Sequence, residues 1–480
     1  MSAPKPFYVA GHSQTSSEVQ TVWSPDGTQV GEHAIPTDAD VATAVAAAAA
    51  ALPACQALTA ADRSAALLRV SQQIALRSEE FAQTITAEGG KPLMWSRMEV
   101  TRAVATFRWA AEEARRWSGE LQRLDTDPSA AGRTALVRRF SFGAILGIAP
   151  FNFPLNLVAH KVAPAIAVGA PIILKPAPAT PLTALLLGEI LSETELPLGA
   201  WSVLPLDNDR TEALVQDPRL PIISFTGSER VGYAIQDAVP RKHVVLELGG
   251  NAAAAVCADF SSEADLEWAG SRIATFGNYQ AGQSCISVQR VFVANSLASG
   301  FIEDLTARVA ALPTGAPEDP ETVVGPLINE QAAERVVAWI EEAVQEGATL
   351  LTGGTRVGAT VAPTLLTDVA PTSKVACEEV FGPVMTVTAV PDDPEAIFAA
   401  INASKYGLQA GLFTHDIQTA FAAQRALEVG GVIIGDVPSF RADQMPYGGE
   451  KASGVGREGL LAAMTDFTHD RVMVLTGLDL

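Results

Sequence analysis

The sequence predicts an α/β protein built on parallel sheets. Three observations support this. Short apolar strand-like runs alternate with helix-like segments from about residue 140 onward. The runs are continuously apolar, as buried parallel strands are. The chain of 480 residues also exceeds one ordinary core, which points to two or three domains.

Taken in order, residues 38–52 (DADVATAVAAAAAAL) begin with acidic, capping-type residues and continue in strong helix formers, and Pro53 marks the expected stop. Helices are expected over residues 61–88, closed by Gly89-Gly90, and over 99–120. LVRRFSFGAILGIAP then reads as β-rich, residues 156–167 as a helix, and APIILKPAP as a buried strand running into a proline-rich turn. The alternation continues through 183–194, 222–225, 229–238 and 244–248. A second α/β series runs from about residue 252 to 460. HDRVMVLTGL at the end reads as a strand in need of a partner. In such folds ligands bind beyond the carboxyl ends of the strands.

Composition narrows the function. The chain is 48% hydrophobic and 18% charged, as a folded enzyme is, and its net charge of −21 with no basic run argues against nucleic acid. Cys55, Cys257, Cys285 and Cys377 form no CxxC pair, and the six histidines have no metal-ligand spacing, so neither a disulfide framework nor a metal site is expected. There is no leader-like start and no run of about 18 uninterrupted apolar residues, so no membrane association and a cytoplasmic setting are expected.

Gly454-Val-Gly456-Arg-Glu-Gly459 matches a dinucleotide fingerprint literally, but KAS rather than an apolar strand precedes it, so it is rejected as one. SFTGSERVG is the better phosphate site: a strand enters, Gly227 turns it, and the N–H groups of the following helix face an anion. Alone, it reads equally as a plain strand-to-helix turn capped by Ser228. In FGNYQAGQSC a polar, glycine-containing turn ends on Cys285, where main-chain donors would favour the thiolate; the alternative is an inert buried cysteine. Glu247 ends an apolar strand in LELGGN, and two glycines leave space beside it, although a strand-end glutamate is commonly just solvated. Asn152 sits in the proline-braced loop PFNFP with a free amide, or as a turn asparagine.

PFNFP, LKPAPATP, FTGSERVG, LELGGN, GQSC, EEVFGP and PYGGEKASGVGRE together resemble the aldehyde dehydrogenase superfamily, in order and over nearly the whole chain. The loop around Arg441 is similar to the branch of lactaldehyde, semialdehyde and non-phosphorylating glyceraldehyde-phosphate dehydrogenases. The resemblance implies a Rossmann-type nucleotide-binding domain (1–120 and 143–251), an α/β catalytic domain (252–460) and a small β oligomerisation extension (121–142 and 461–480), assembled as a homodimer or homotetramer. It implies oxidation of an aldehyde with NAD or NADP. Cys285 would attack the carbonyl, Asn152 and the Cys285 N–H would hold the oxyanion, hydride would pass to the nicotinamide, and Glu247 would activate water against the thioester. Lys175, Gly227, Ser228, Glu379 and Phe381, with Pro150 and Phe151, would line the cofactor site.

Pro178 stands where many NAD-preferring relatives have a glutamate that repels a 2′-phosphate, so dual use or an NADP bias is expected. Asp436 stands where asparagine is expected. Arg441, in the same loop, is expected as a mobile arginine that pairs with an anionic group on the aldehyde, or as a surface or subunit-contact residue. Competing readings are a cofactor-free cysteine hydrolase, an idle scaffold, and acyl transfer to coenzyme A.

Overall fold

In a computed structural model, residues 3–477 are described. An eight-stranded sheet carries, side by side, His12–Gln14, Phe7–Val9, Trp201–Val203, Ile172–Lys175, Ile145–Ile148, Ile222–Thr226, His243–Glu247 and Gly454–Val455. Its five central strands are parallel, and both edges are closed by antiparallel pairs. Chain order reverses between Ile145–Ile148 and Ile222–Thr226, and a crevice opens at such a switch point beyond the strand ends. A seven-stranded sheet follows, parallel except for its first pair, with Arg290–Ala294, Ala253–Val256 and Gln409–Phe413 near its middle.

The expected terminal strand finds its partner: Thr468–Thr476 pairs along its whole length with Arg133–Ser141, which also pairs with Glu120–Arg123. The preceding helix, Leu460–Asp466, packs instead on helices of the first domain. Residues 1–2 and 478–480, the outer ends of two expected domains, lie outside the described residues.

Three expected helices differ in detail. The alanine-rich helix runs Asp38–Ala57 and contains Pro53. Thr37 and Asp40 form a reciprocal capping box at its start. Ala51 and Cys55 are buried on either side of the proline, so packing offsets the one backbone hydrogen bond that proline removes. Alanine makes this helix apolar enough by composition to cross a membrane, yet its stripe of Ala44, Val45, Ala48, Ala51 and Cys55 packs into the first core. The segment 61–88 is two helices, Ala60–Leu76 and Ser78–Gly89, broken where Arg77 leaves helical geometry and binds Glu80 and Glu189. The next helix is Leu93–Arg116: Pro92 fixes its start, and Glu120 is already paired as a strand with Val137.

Candidate active site

The four strands around the switch point deliver sequence-predicted residues from their carboxyl ends. Ile145–Ile148 leads to Pro150, Phe151 and Asn152; Ile172–Lys175 ends on Lys175; Ile222–Thr226 ends beside Gly227 and Ser228; His243–Glu247 ends on Glu247. Register brings Ile148 beside Lys175 and Thr226 beside Glu247.

Cys285 approaches from the other domain. The helix Glu263–Asn278 runs into a turn in which Gln280, Ala281 and Gly282 all have left-handed backbone, with φ of 51°, 55° and 69°. Two of these carry side chains, and a non-glycine residue there costs roughly 1–3 kcal/mol and persists only where its surroundings enforce it. Here they do: the Gln280 amide donates to the Asn152 carbonyl, and the Gln283 amide donates to the carbonyls of Gln280 and Pro326, each at 3.3 Å. The turn presents a half-buried Cys285 whose Sγ lies 2.9 Å from the Tyr447 hydroxyl. Burial pushes the thiol up to about 12, and Glu379 and Glu247 add to this against Tyr447 and Arg441, which works against the partial thiolate expected from the donors of the turn.

Glu247 is 3% exposed, and neither carboxylate oxygen has a hydrogen-bond partner among the described residues. Burial, then the charge of Glu458, raises its pKa well above the carboxylate range; Arg441, Lys161 and Arg457 oppose this. Gly448 makes room for it, since a Cβ there would lie 3.0 Å from Oε1. Asn152 is buried, its Nδ2 donates to the Gln283 carbonyl at 3.0 Å, and its Oδ1 has no partner among the described residues. One amide hydrogen therefore remains for an oxyanion.

The residues expected to line the cofactor site form a second group. Lys175 is buried, which pulls its ammonium down to about 8, with Asp207 offsetting part of that. Ser228 precedes the helix Glu229–Ala238 without capping it, contrary to the plain-turn alternative, so the first N–H groups remain open to an anion. Glu379 accepts from the Gly250 N–H at 3.1 Å, and burial raises it to about 7. Phe381 is held at φ 49° and meets Phe151 edge-on, with ring centroids 5.8 Å apart. A buried cation, an uncapped helix start, a half-buried carboxylate and an aromatic pair suit a nicotinamide dinucleotide. Pro178, at the rim, is exposed and carries no charge.

The Arg441 side chain is buried rather than at the surface. It is 5% exposed, donates to Glu458 at 3.2 Å, and lies 3.7 Å from the Tyr447 ring centre. Burial would lower its pKa, but Glu458, Tyr447, Asp443 and Glu247 raise it. With Arg102 and Arg272 it lines a cavity of about 160 Å³ walled by Trp95, Phe153 and Phe276. Arg102 is held bidentately by Asp443, at 3.2 and 2.8 Å, and Asp443 in turn by His160 and Asn156. Asp436, the unexpected acid, holds Arg272 through two bonds of 2.7 and 2.8 Å. A larger cavity of about 480 Å³, under the three-stranded sheet, contains none of these residues.

Sequence reasoning missed Lys161, Glu458, Tyr447, Arg102 and Arg272. Lys161 donates to Ser224, Thr226 and Glu458 at 3.1, 2.7 and 3.2 Å, inside a helix buried on all sides. Its signal was present: a lysine within NLVAHKVAPAIAV has to be paired. Glu458 lay inside the rejected glycine motif, whose first glycine belongs to an antiparallel edge strand.

The aldehyde dehydrogenase family profile matches residues 9–473. The chain is 41% identical over 471 residues to a 3-sulfolactaldehyde dehydrogenase of Priestia aryabhattai, covering 98% of this chain and 97% of that protein. It superposes on aldehyde dehydrogenase 21 of Physcomitrella patens, solved with the reaction product succinate, with TM-score 0.97, 41% identity and all of both chains covered. A glyceraldehyde-3-phosphate dehydrogenase of Methanocaldococcus jannaschii complexed with NADP gives TM-score 0.90 and 33% identity, with 96% of this chain and 100% of that one covered.

Proposed function

Because this chain belongs to the aldehyde dehydrogenase family, whose members oxidise aldehydes with NAD or NADP, we propose that its substrate is a short aldehyde bearing a sulfonate or carboxylate. The observation that carries this reading is the arginine-lined cavity. The Arg441 side chain is buried against Tyr447, whose hydroxyl meets the Cys285 sulfur, and its Nε has no partner among the described residues. An unpaired donor on a buried cation is costly unless a ligand takes it. The relatives named for 3-sulfolactaldehyde and for a succinate product agree in chemistry.

In the proposed reaction Cys285 loses its proton and its sulfur bonds to the aldehyde carbon. The free Asn152 amide hydrogen and the Cys285 N–H hold the resulting oxyanion. When bound, the dinucleotide accepts the hydride. The acyl group then stands on Cys285 as a thioester. Glu247, unpartnered and of raised pKa, takes a proton from the attacking water, and the carboxylic acid leaves. Lys175, Ser228, Gly227, Pro150, Phe151, Glu379 and Phe381 are the residues assigned to hold the dinucleotide. With Pro178 uncharged, NADP is accepted at least as well as NAD.

We divide the chain as its sequence suggests, into nucleotide-binding, catalytic and oligomerisation parts, and assign it to a cytoplasmic homodimer or homotetramer. Leu121, Val472 and Met473, 61%, 57% and 53% exposed on the three-stranded sheet, support a buried position in an assembly. Light scattering on a sizing column tests that.

Reduced-cofactor absorbance tests the function, using matched anionic and neutral aldehydes and Cys285→Ser alongside. The anionic series is expected to have kcat/KM higher by about two orders of magnitude, as charge-assisted pairing provides. Equal values for the neutral series would remove the anion reading. Activity retained by Cys285→Ser would remove the thiol mechanism.

A further inference from the structure

The hydroxyl of Tyr447 touches the reacting sulfur and has no role in the chemistry described so far. It lies 2.9 Å from Cys285 Sγ, on a residue 3% exposed. The backbone around it is fixed, since the Tyr447 N–H donates to the Glu458 carbonyl at 2.9 Å and the Glu458 N–H donates back at 2.6 Å. The Arg441 guanidinium, itself paired to Glu458, lies 3.7 Å from the ring centre. Phenol and guanidinium are thus held by groups that are themselves anchored.

We propose that Tyr447 is a catalytic residue whose hydroxyl donates a hydrogen bond to the Cys285 thiolate. The inference rests on the thiol mechanism above. While the thiol is protonated, either atom can donate. Once it ionises, sulfur can only accept, so the phenol must be the donor. The cation over the ring makes the O–H a stronger donor by stabilising charge on the phenol. In the ionisation the S–H bond breaks and its proton leaves to water at the half-buried sulfur. Tyr447 keeps its own proton throughout. When sulfur bonds to carbon its acceptor strength falls, and the hydrogen bond is recovered when the thiolate departs from the thioester. One hydroxyl therefore serves both the formation and the breakdown of the acyl-enzyme.

The test is the pH dependence of Cys285 alkylation by iodoacetamide, with cofactor affinity measured alongside. The charged and titratable groups facing the sulfur are Tyr447, Tyr279, Glu379, Arg441 and Glu247. Of these, Tyr447→Phe alters only one hydroxyl. Alkylation at neutral pH is expected to slow by about tenfold or more, with its midpoint moved to higher pH and cofactor affinity unchanged, as loss of a hydrogen bond to a charged group implies. An unmoved profile overturns the proposal, even if turnover falls. Should Tyr447→Phe fail to fold, a fluorinated tyrosine at 447 keeps the shape and sharpens the donor. The midpoint then moves to lower pH, and no movement overturns the proposal. Activity surviving in Cys285→Ser would instead overturn the mechanism beneath it.

Discussion

Two neighbouring clusters of buried polar side chains are built on opposite principles. Along the cavity wall each arginine has its own carboxylate: Arg102 with Asp443, Arg272 with Asp436, Arg441 with Glu458. A few residues away, both oxygens of Glu247 and Oδ1 of Asn152 have no partner. Burying an unmatched polar atom costs about 1–3 kcal/mol, more for a charge, so a folded chain rarely leaves several together. The comparison teaches where bonds are left open: each cavity arginine has a carboxylate, whereas the groups proposed to react, Glu247 and Asn152, keep acceptor atoms without a partner among the described residues.

The largest test removes one of these open groups. Glu247→Gln keeps the shape and is expected to lower steady-state turnover about 10³-fold while leaving a single-turnover burst of reduced cofactor, because acylation precedes its step. A lost burst would mean that Glu247 serves acylation as well. Asn152→Ala should cost about 10²–10³ in kcat with cofactor affinity intact. A loss confined to KM would place Asn152 with the positioning groups.

Glu458 joins the two clusters. In the proposed reaction Glu247 is a base in its deprotonated form, so the rate is expected to rise with pH through its raised pKa, to which the Glu458 charge contributes. Glu458→Gln is therefore expected to move the rising limb of kcat to lower pH by about one unit. The same change leaves Lys161 without its carboxylate, and a broken buried pair costs about 3–5 kcal/mol, so Tm should fall as well. A limb that stays in place would uncouple the clusters. The smallest effect is expected from Asp436→Asn. Arg272 and Asp436 remain 24% and 21% exposed, and solvent screening limits such a pair to about 1 kcal/mol, a few-fold in KM for an anionic aldehyde. A change in kcat instead would move Arg272 to the reacting group.

Much of this arrangement was legible in the chain. Alternating apolar runs predicted the parallel sheet, and the strand ends that carry Asn152, Lys175, Gly227 and Glu247 fall where the motifs put them. Pairings across long separations were not legible. Nothing near Arg441 announces Glu458 as its partner or a tyrosine ring beneath it, and Arg102 meets Asp443 across 341 residues. The burial that pushes the Cys285 thiol up was not legible either, because a local segment shows the donors of the turn and not what packs over it. The proline within the first helix shows the same limit, since packing decided what propensity opposed.

The helix Asn156–Val168, which follows the Asn152 loop, has no side-chain cap of its own. Its first free N–H groups, from Leu155 and Asn156, donate at 2.8 and 3.0 Å to Glu99, a buried glutamate of Leu93–Arg116 that is also paired with Lys91. The Asn152 loop therefore cannot settle from local sequence. It is expected to take its shape only once a helix some fifty residues earlier has docked. In a refolding experiment the helical signal should appear before turnover, and amide protons of residues 155 and 156 should gain protection together with those around Glu99. The order of assembly is thus written into the position of one carboxylate.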